Sequence, residues 1–151
     1  LFDHKLDQAL AFGATHTVNS KRHDPATFLK EISGGKGFDA TADVTGNAQV
    51  RQVAYAATKN TGKTIFAGVP YHQETITIDS FPLHFGRQLM GSHGGDTRPD
   101  EDIPRYAQLF TLGKLRLEEQ ITHRLSLSEI NRAIQMVEAG DAGRCVISMS
   151  P

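Results

Sequence analysis

Gly68-Val69-Pro70 directly follows the apolar run Thr64–Ala67, and together they read as a strand that ends at a binding surface. Ligands in open α/β sheets sit beyond the carboxyl ends of the strands. A glycine there removes the Cβ that would block a flat ring, and the proline fixes the chain's exit. Val44-Thr45-Gly46-Asn47 leaves one strand and enters a helix, so its backbone and the Thr45 hydroxyl could face an adenosine or a ribose. A strand-to-helix turn capped by Asn47 is the plainer alternative. Lys5, early in its helix, could bind ribose hydroxyls or a phosphate, or stand solvated at the surface. Arg144 opens the last strand, and its planar fork suits a pyrophosphate; a surface arginine is the bland alternative. His93 follows a core strand between Ser92 and two glycines, where it could face a ligand cleft or simply occupy a loop.

Other chemistry is excluded by spacing. The seven histidines are scattered and none are paired at i, i+4, so a metal site within this chain is not expected. The single cysteine, Cys145, reads as a strand residue; it rules out an internal disulfide and suits a reducing cytoplasm. There is no Gly-rich phosphate loop, no HExxH and no serine elbow. Gly34-Gly35-Lys36-Gly37 sits at a helix end and reads as a turn.

These residues must be positioned by an alternation of helices and strands. Asp3 is placed as the N-cap of a helix bearing Leu6, Ala9, Leu10 and Phe12, stopped at Gly13. Ala14–Asn19 follows as a short strand. Asp24-Pro25 opens a second helix with Phe28, Leu29 and Ile32 on its face. Phe38–Val44 alternates Phe38, Ala40, Ala42 and Val44 at period two, so it reads as a strand. A third helix carries Val50, Val53, Ala54 and Ala57, with Gly62 as the turn before the strand at Lys63. Short Gly-punctuated connections between such elements predict βαβ units and a parallel sheet. After Pro70 the character changes. Glu74–Ile78 reads as a short edge strand, Phe81–Phe85 as a turn or short helix and Gln88–Ser92 as another core strand. Asp102 is placed as the cap of a helix bearing Ile103, Tyr106 and Phe110. Ile121–Leu125 is a strand, Ser126 and Glu129 form a capping box for a helix, and Arg144–Met149 is the final strand. The composition shifts near Gly94–Pro99, the expected domain boundary.

Length and charge bound the rest. The 151 residues suffice for one domain with a core or for part of a longer protein. The net charge of −1 argues against nucleic acid or an anionic membrane as main partner. No apolar run approaches the roughly 20 residues a membrane span needs. Leu1 falls where an α/β unit enters a helix, so the chain is expected to be the C-terminal piece of something longer.

Taken in order, these pieces resemble the medium-chain dehydrogenase/reductase family, specifically its zinc-dependent alcohol dehydrogenases. The residues that carry the resemblance are Lys5-Leu6, Gly13-Ala14-Thr15, Val18-Asn19, Asp43-Val44-Thr45-Gly46 and Ala67-Gly68-Val69-Pro70. Gly91-Ser92 through Gly95, Leu115, Ile121-Thr122-His123, Ile130–Ala133 and Gly143–Ile147 continue it. The resemblance implies an α/β fold with a partial doubly wound parallel, Rossmann-type sheet lacking its first strands. A C-terminal segment that would pack on a catalytic domain completes it. Residues 1–93 would be the partial nicotinamide-dinucleotide-binding domain and 94–151 the return segment. Lys5 matches a ribose contact, Val44 and Thr45 with Gly46 the adenosine side, and Ala67, Gly68 and Val69 the nicotinamide wall. Ser92 and Gly94 match main-chain positions that hold the carboxamide, and Arg144 a pyrophosphate arginine. The catalytic zinc ligands and the acidic residue that discriminates NAD from NADP would lie before Leu1, so either cofactor is compatible and no catalytic residue is carried here. In the parent, zinc would polarise an alcohol substrate that exchanges hydride with the nicotinamide. The implied parent is a cytoplasmic homo-oligomer acting on a small alcohol or aldehyde, and the isolated chain is expected to be inactive with weak or no NAD binding. Two alternatives stand beside this one: a zinc-free quinone or enoyl reductase of the same superfamily, and a non-enzymatic α/β binding or oligomerisation module.

Overall fold

The computed structural model describes residues 2–149. Its elements are α1 (Asp3–Ala11), α2 (Pro25–Ile32), β1 (Phe38–Asp43), α3 (Ala48–Ala56), β2 (Thr58–Phe66), β3 (Gln88–Gly91), α4 (Pro99–Thr111), β4 (Ile121–Ser126), α5 (Ile130–Ala139) and β5 (Arg144–Ser148). They fall into two compact units, residues 9–97 and residues 2–8 with 98 onward.

The first unit is built on a three-stranded parallel sheet in the order β1-β2-β3. The strands end together: Asp43 pairs with Phe66, and Phe66 with Gly91. Local signals explain the helices that flank them. Asp24 accepts Thr27 N at 2.9 Å with Pro25 at the first helical position of α2. Asn47 accepts Gln49 N and Val50 N to start α3. The core is small and part polar. Tyr55 is 2% exposed and its hydroxyl donates to Asp79 O at 2.7 Å. Thr58 and Thr64 are fully buried, and Thr58 Oγ1 donates to Ala54 O at 2.9 Å. That hydroxyl has one proton, so Thr41 and Thr64, each 2.7 Å away, must both donate to it.

The second unit pairs β4 with β5 in parallel, joined through α5. Ser126 and Glu129 form the expected capping box, and Gly140 ends α5 in the left-handed region at φ +80°. A Cβ at Gly140 would stand 2.7 Å from the Phe2 ring, so close packing as well as φ demands glycine there. Thr122 Oγ1 accepts Gly143 N at 3.0 Å, tying the turn before β5 to β4.

Several expectations are corrected. Ala14–Asn19 forms no ladder with any described strand, and a strand exists only by pairing. Glu74–Ile78 also forms no ladder; side chains dock it on α3, with Ala48 N donating to Glu74 Oε1 and Thr77 N to Gln52 Oε1. Gly62 is not a turn before β2 but part of it. Phe38 pairs with Thr58 and Ala40 with Lys63, so the extra β2 residues bulge out. A Cβ on Gly62 would lie 2.8 Å from the carbonyl oxygens of Phe38 and Asp39. On β1 the buried residue is Asp43, while Ala40, Ala42 and Val44 are exposed. Ala40 and Ala42 instead border an open groove of ≈ 1010 Å³ lined by α2 and α3. Asp3 and Asp102 lie inside their helices rather than before them. Asp102 still caps, accepting Arg98 N at 2.9 Å from one turn in.

Candidate functional site

The carboxyl edge of the three-stranded sheet brings three turns side by side: Val44–Gly46 after β1, Ala67–Val69 after β2, and Ser92–Gly94 after β3. Nine of the residues expected to form a site stand in these turns. Lys5 and Arg144 belong to the second unit. Lys5 Nζ lies 5.6 Å from the centroid of the Phe2 ring, a cation–π contact. Arg144 is exposed at the start of β5.

One residue organises the first two turns. Asp43, the last residue of β1, is 1% exposed. Its Oδ1 accepts Thr45 N at 2.9 Å and Thr45 Oγ1 at 2.6 Å, and its Oδ2 accepts Gly46 N at 3.0 Å. Its carbonyl oxygen accepts Ala67 N at 2.8 Å and Gly68 N at 2.9 Å. Burial alone would raise this carboxyl. The hydrogen bonds from Thr45 and Gly46 and the nearby charge of Arg51 outweigh it, holding the group below the usual aspartate range. Arg51 stacks with its guanidinium carbon 4.5 Å from the Phe66 ring centroid. Its Nε is buried and finds no hydrogen-bond partner among the described residues.

The turns also interlock. A Cβ at Gly68 would stand 2.2 Å from Gly46 N and 2.5 Å from Thr45 N; one at Gly46 would stand 2.3 Å from Val69 O. Gly46 also holds φ +74°. The glycines are therefore required first by each other's backbone, a reason that spacing in the sequence did not suggest. Their packing leaves Val44 and Val69 pointing outward, 77% and 89% exposed. Ala67 and His93 are exposed as well. Beyond β3 the backbone is bare: positions a Cβ would take at Gly91 and Gly94 have nothing within 4 Å. Ser92 N donates to Phe66 O at 3.0 Å, and Ser92 Oγ accepts Gly95 N at 3.0 Å, which sets this third turn.

Phosphate has no obvious seat on this edge. The N-terminus of α3 is closed by Asn47 and by Glu74, whose carboxylate already holds Ala48 N at 3.1 Å. What the edge offers is exposed aliphatic surface, uncovered main chain and the hydroxyl of Thr45. Such groups seat a ring and a sugar; they do not break bonds. This fits the ring end of a dinucleotide better than its pyrophosphate. Among the described residues no three His, Cys, Asp or Glu stand together to hold a metal ion, so these residues do not fit a zinc.

Asp43, Arg51 and Glu74 were not assigned roles from sequence. A signal for Asp43 existed: an acidic residue ending a strand with Thr two positions on and Gly three on is the pattern of a side chain that closes its own turn. Arg51 and Glu74 left no such signal, because each acts on residues made neighbours by the fold.

The chain is similar to known proteins. The family model described as "Zinc-binding dehydrogenase" matches residues 1–111. Alcohol dehydrogenase class-P of Arabidopsis thaliana is 33% identical over 150 residues, 96% of this chain and 39% of that protein. The S-(hydroxymethyl)glutathione dehydrogenase of Komagataella pastoris is 36% identical over 152 residues, 97% of this chain and 40% of that protein. The crystal structure of benzyl alcohol dehydrogenase from Acinetobacter calcoaceticus superposes with a TM-score of 0.91 at 26% identity, covering 99% of this chain and 41% of that one. The chain thus spans about two-fifths of the length of the curated relatives it matches.

Proposed function

This chain belongs to the zinc-binding dehydrogenase family, and from that premise we propose that it is the C-terminal, cofactor-holding portion of an NAD- or NADP-dependent alcohol dehydrogenase. The observation that carries the proposal is the shared carboxyl edge of β1, β2 and β3, where three glycine-bearing turns stand in register. The nicotinamide, when bound, supplies the ring carbon that takes or gives a hydride. The chain's own part is to bind and orient. Ala67, Gly68 and Val69 would form the wall behind the ring and exclude water from one face. Main-chain groups at Ser92 and Gly94, with His93 beside them, would hold the carboxamide. Val44, Thr45 and Gly46 would meet the adenosine side. Lys5 and Arg144 carry the chemistry that suits ribose hydroxyls and a pyrophosphate, an assignment that rests on the resemblance alone.

In this reading residues 1–93 serve the dinucleotide and 94–151 return to a catalytic domain that contributes the zinc ligands. The parent acts on a small alcohol or aldehyde, as a homo-oligomer and in the cytoplasm. No helix among the described residues is long and apolar enough to cross a membrane. The test is fluorescence titration of NADH and NADPH into the full-length protein that carries these residues, alongside alcohol-dependent reduction of NAD and NADP. Saturable binding of one of them with alcohol-dependent turnover is expected. A folded full-length protein that binds neither would overturn the proposal. The isolated 151-residue chain is expected to bind weakly or not at all; micromolar affinity by calorimetry would contradict that part.

A further inference from the structure

We propose that Asp43 is the positioning residue of the dinucleotide edge, fixing the Val44–Gly46 and Ala67–Val69 turns as one body. This deepens the reading above and rests on it. Asp43 reaches both turns through a single residue: its carboxylate takes three hydrogen bonds from Thr45 and Gly46. Its carbonyl takes two more from Ala67 and Gly68. Because the backbone of Gly68 is packed on Thr45 N and Gly46 N with no room for a Cβ, a shift of one turn is passed to the other. The groups proposed to meet the cofactor, Val44 and Val69, are the exposed outer ends of this block. Arg51, stacked on Phe66, supplies the opposite charge beside the carboxylate.

The experiment uses the full-length protein with Asp43→Asn, and with Thr58→Val as a control. Asparagine keeps the shape but sets an N–H₂ against one of the donors that the carboxylate satisfied. Thr58 is equally buried but begins β2 at the opposite, amino end of the sheet, paired with Phe38. Amide hydrogen exchange and NADH or NADPH titration are measured on all three proteins. D43N is expected to speed exchange at Thr45, Gly46, Ala67 and Gly68 together and to weaken cofactor binding about tenfold, the effect of roughly one unsatisfied hydrogen bond. T58V is expected to lower stability while leaving cofactor affinity at the wild-type value. Faster exchange confined to Thr45 and Gly46 overturns the single-body claim. Unchanged affinity in D43N, or an equal loss in T58V, overturns the positioning role while leaving the cofactor proposal standing. Failure of the wild type to bind either nucleotide overturns the cofactor proposal and this one with it.

Discussion

Thr58 shows how much one buried hydroxyl can decide. It is the acceptor for Thr41 and Thr64 and the donor to Ala54 O, so replacing it with valine leaves two hydroxyls and a carbonyl short of partners. We expect Thr58→Val to cost about 1–3 kcal/mol per group that stays unsatisfied, read as a lower midpoint in chemical denaturation. A midpoint within error of wild type would refute the donor assignment. Asp43 makes a pH prediction of definite sign. Its folded-state carboxyl is held below the usual value by Thr45, Gly46 and Arg51 against the opposing effect of burial. The stability it contributes is therefore fully present above about pH 4, the ordinary aspartate range, and is lost as pH falls through its depressed value. The stability gap between wild type and Asp43→Asn should hold from neutrality to about pH 4 and narrow in more acid solution. A gap that widens on acidification would reverse the sign and reject the argument.

At the scale of elements, the capping residues Asp24 and Asn47 and the Ser126–Glu129 box act within a few residues of themselves and were legible, as was Gly140 as a helix stop. Gly62 and Gly68 were legible as special positions, but the packing that constrains them was not. Each is constrained by backbone from another strand or turn, which no local window contains. Gly68→Ala is the sharp test. The added methyl would meet Gly46 N and Thr45 N, backbone that cannot swing aside as a side chain can. A loss of about 1–3 kcal/mol is expected, typical of forced overpacking, with the largest spectral changes at Val44–Gly46 rather than at Gly68 itself. An alanine variant as stable as wild type, with residues 44–46 unmoved, would show that the turns are not interlocked.

For the whole molecule, the division of labour is chemical. The described residues put exposed aliphatic side chains, bare main chain and the Thr45 hydroxyl at the end of a parallel sheet, and they hold no cluster able to take a metal. If zinc serves the parent from ligands elsewhere, binding and turnover should separate. Chelation of the full-length protein is expected to abolish alcohol oxidation while leaving NADH affinity unchanged. Loss of both together would place the metal in the integrity of the dinucleotide edge and contradict the proposed division.

Legible in the chain alone were the α/β class, most of the helices and strands after Gly35 and the family, because periodicity, caps and glycine turns are short-range and additive. The sequence also named the three turns that share the carboxyl edge of the sheet. Tertiary structure alone decided the rest: that Ala14–Asn19 and Glu74–Ile78 form no ladder, that β2 bulges at Gly62, and that the buried end of β1 is a carboxylate instead of an alanine face. It also decided that Asp43 binds two turns at once. The physical reason is common to all of these. Each depends on which atom of a distant residue comes within hydrogen-bond or van der Waals reach, and that is set by strand register and packing, which a linear pattern does not contain.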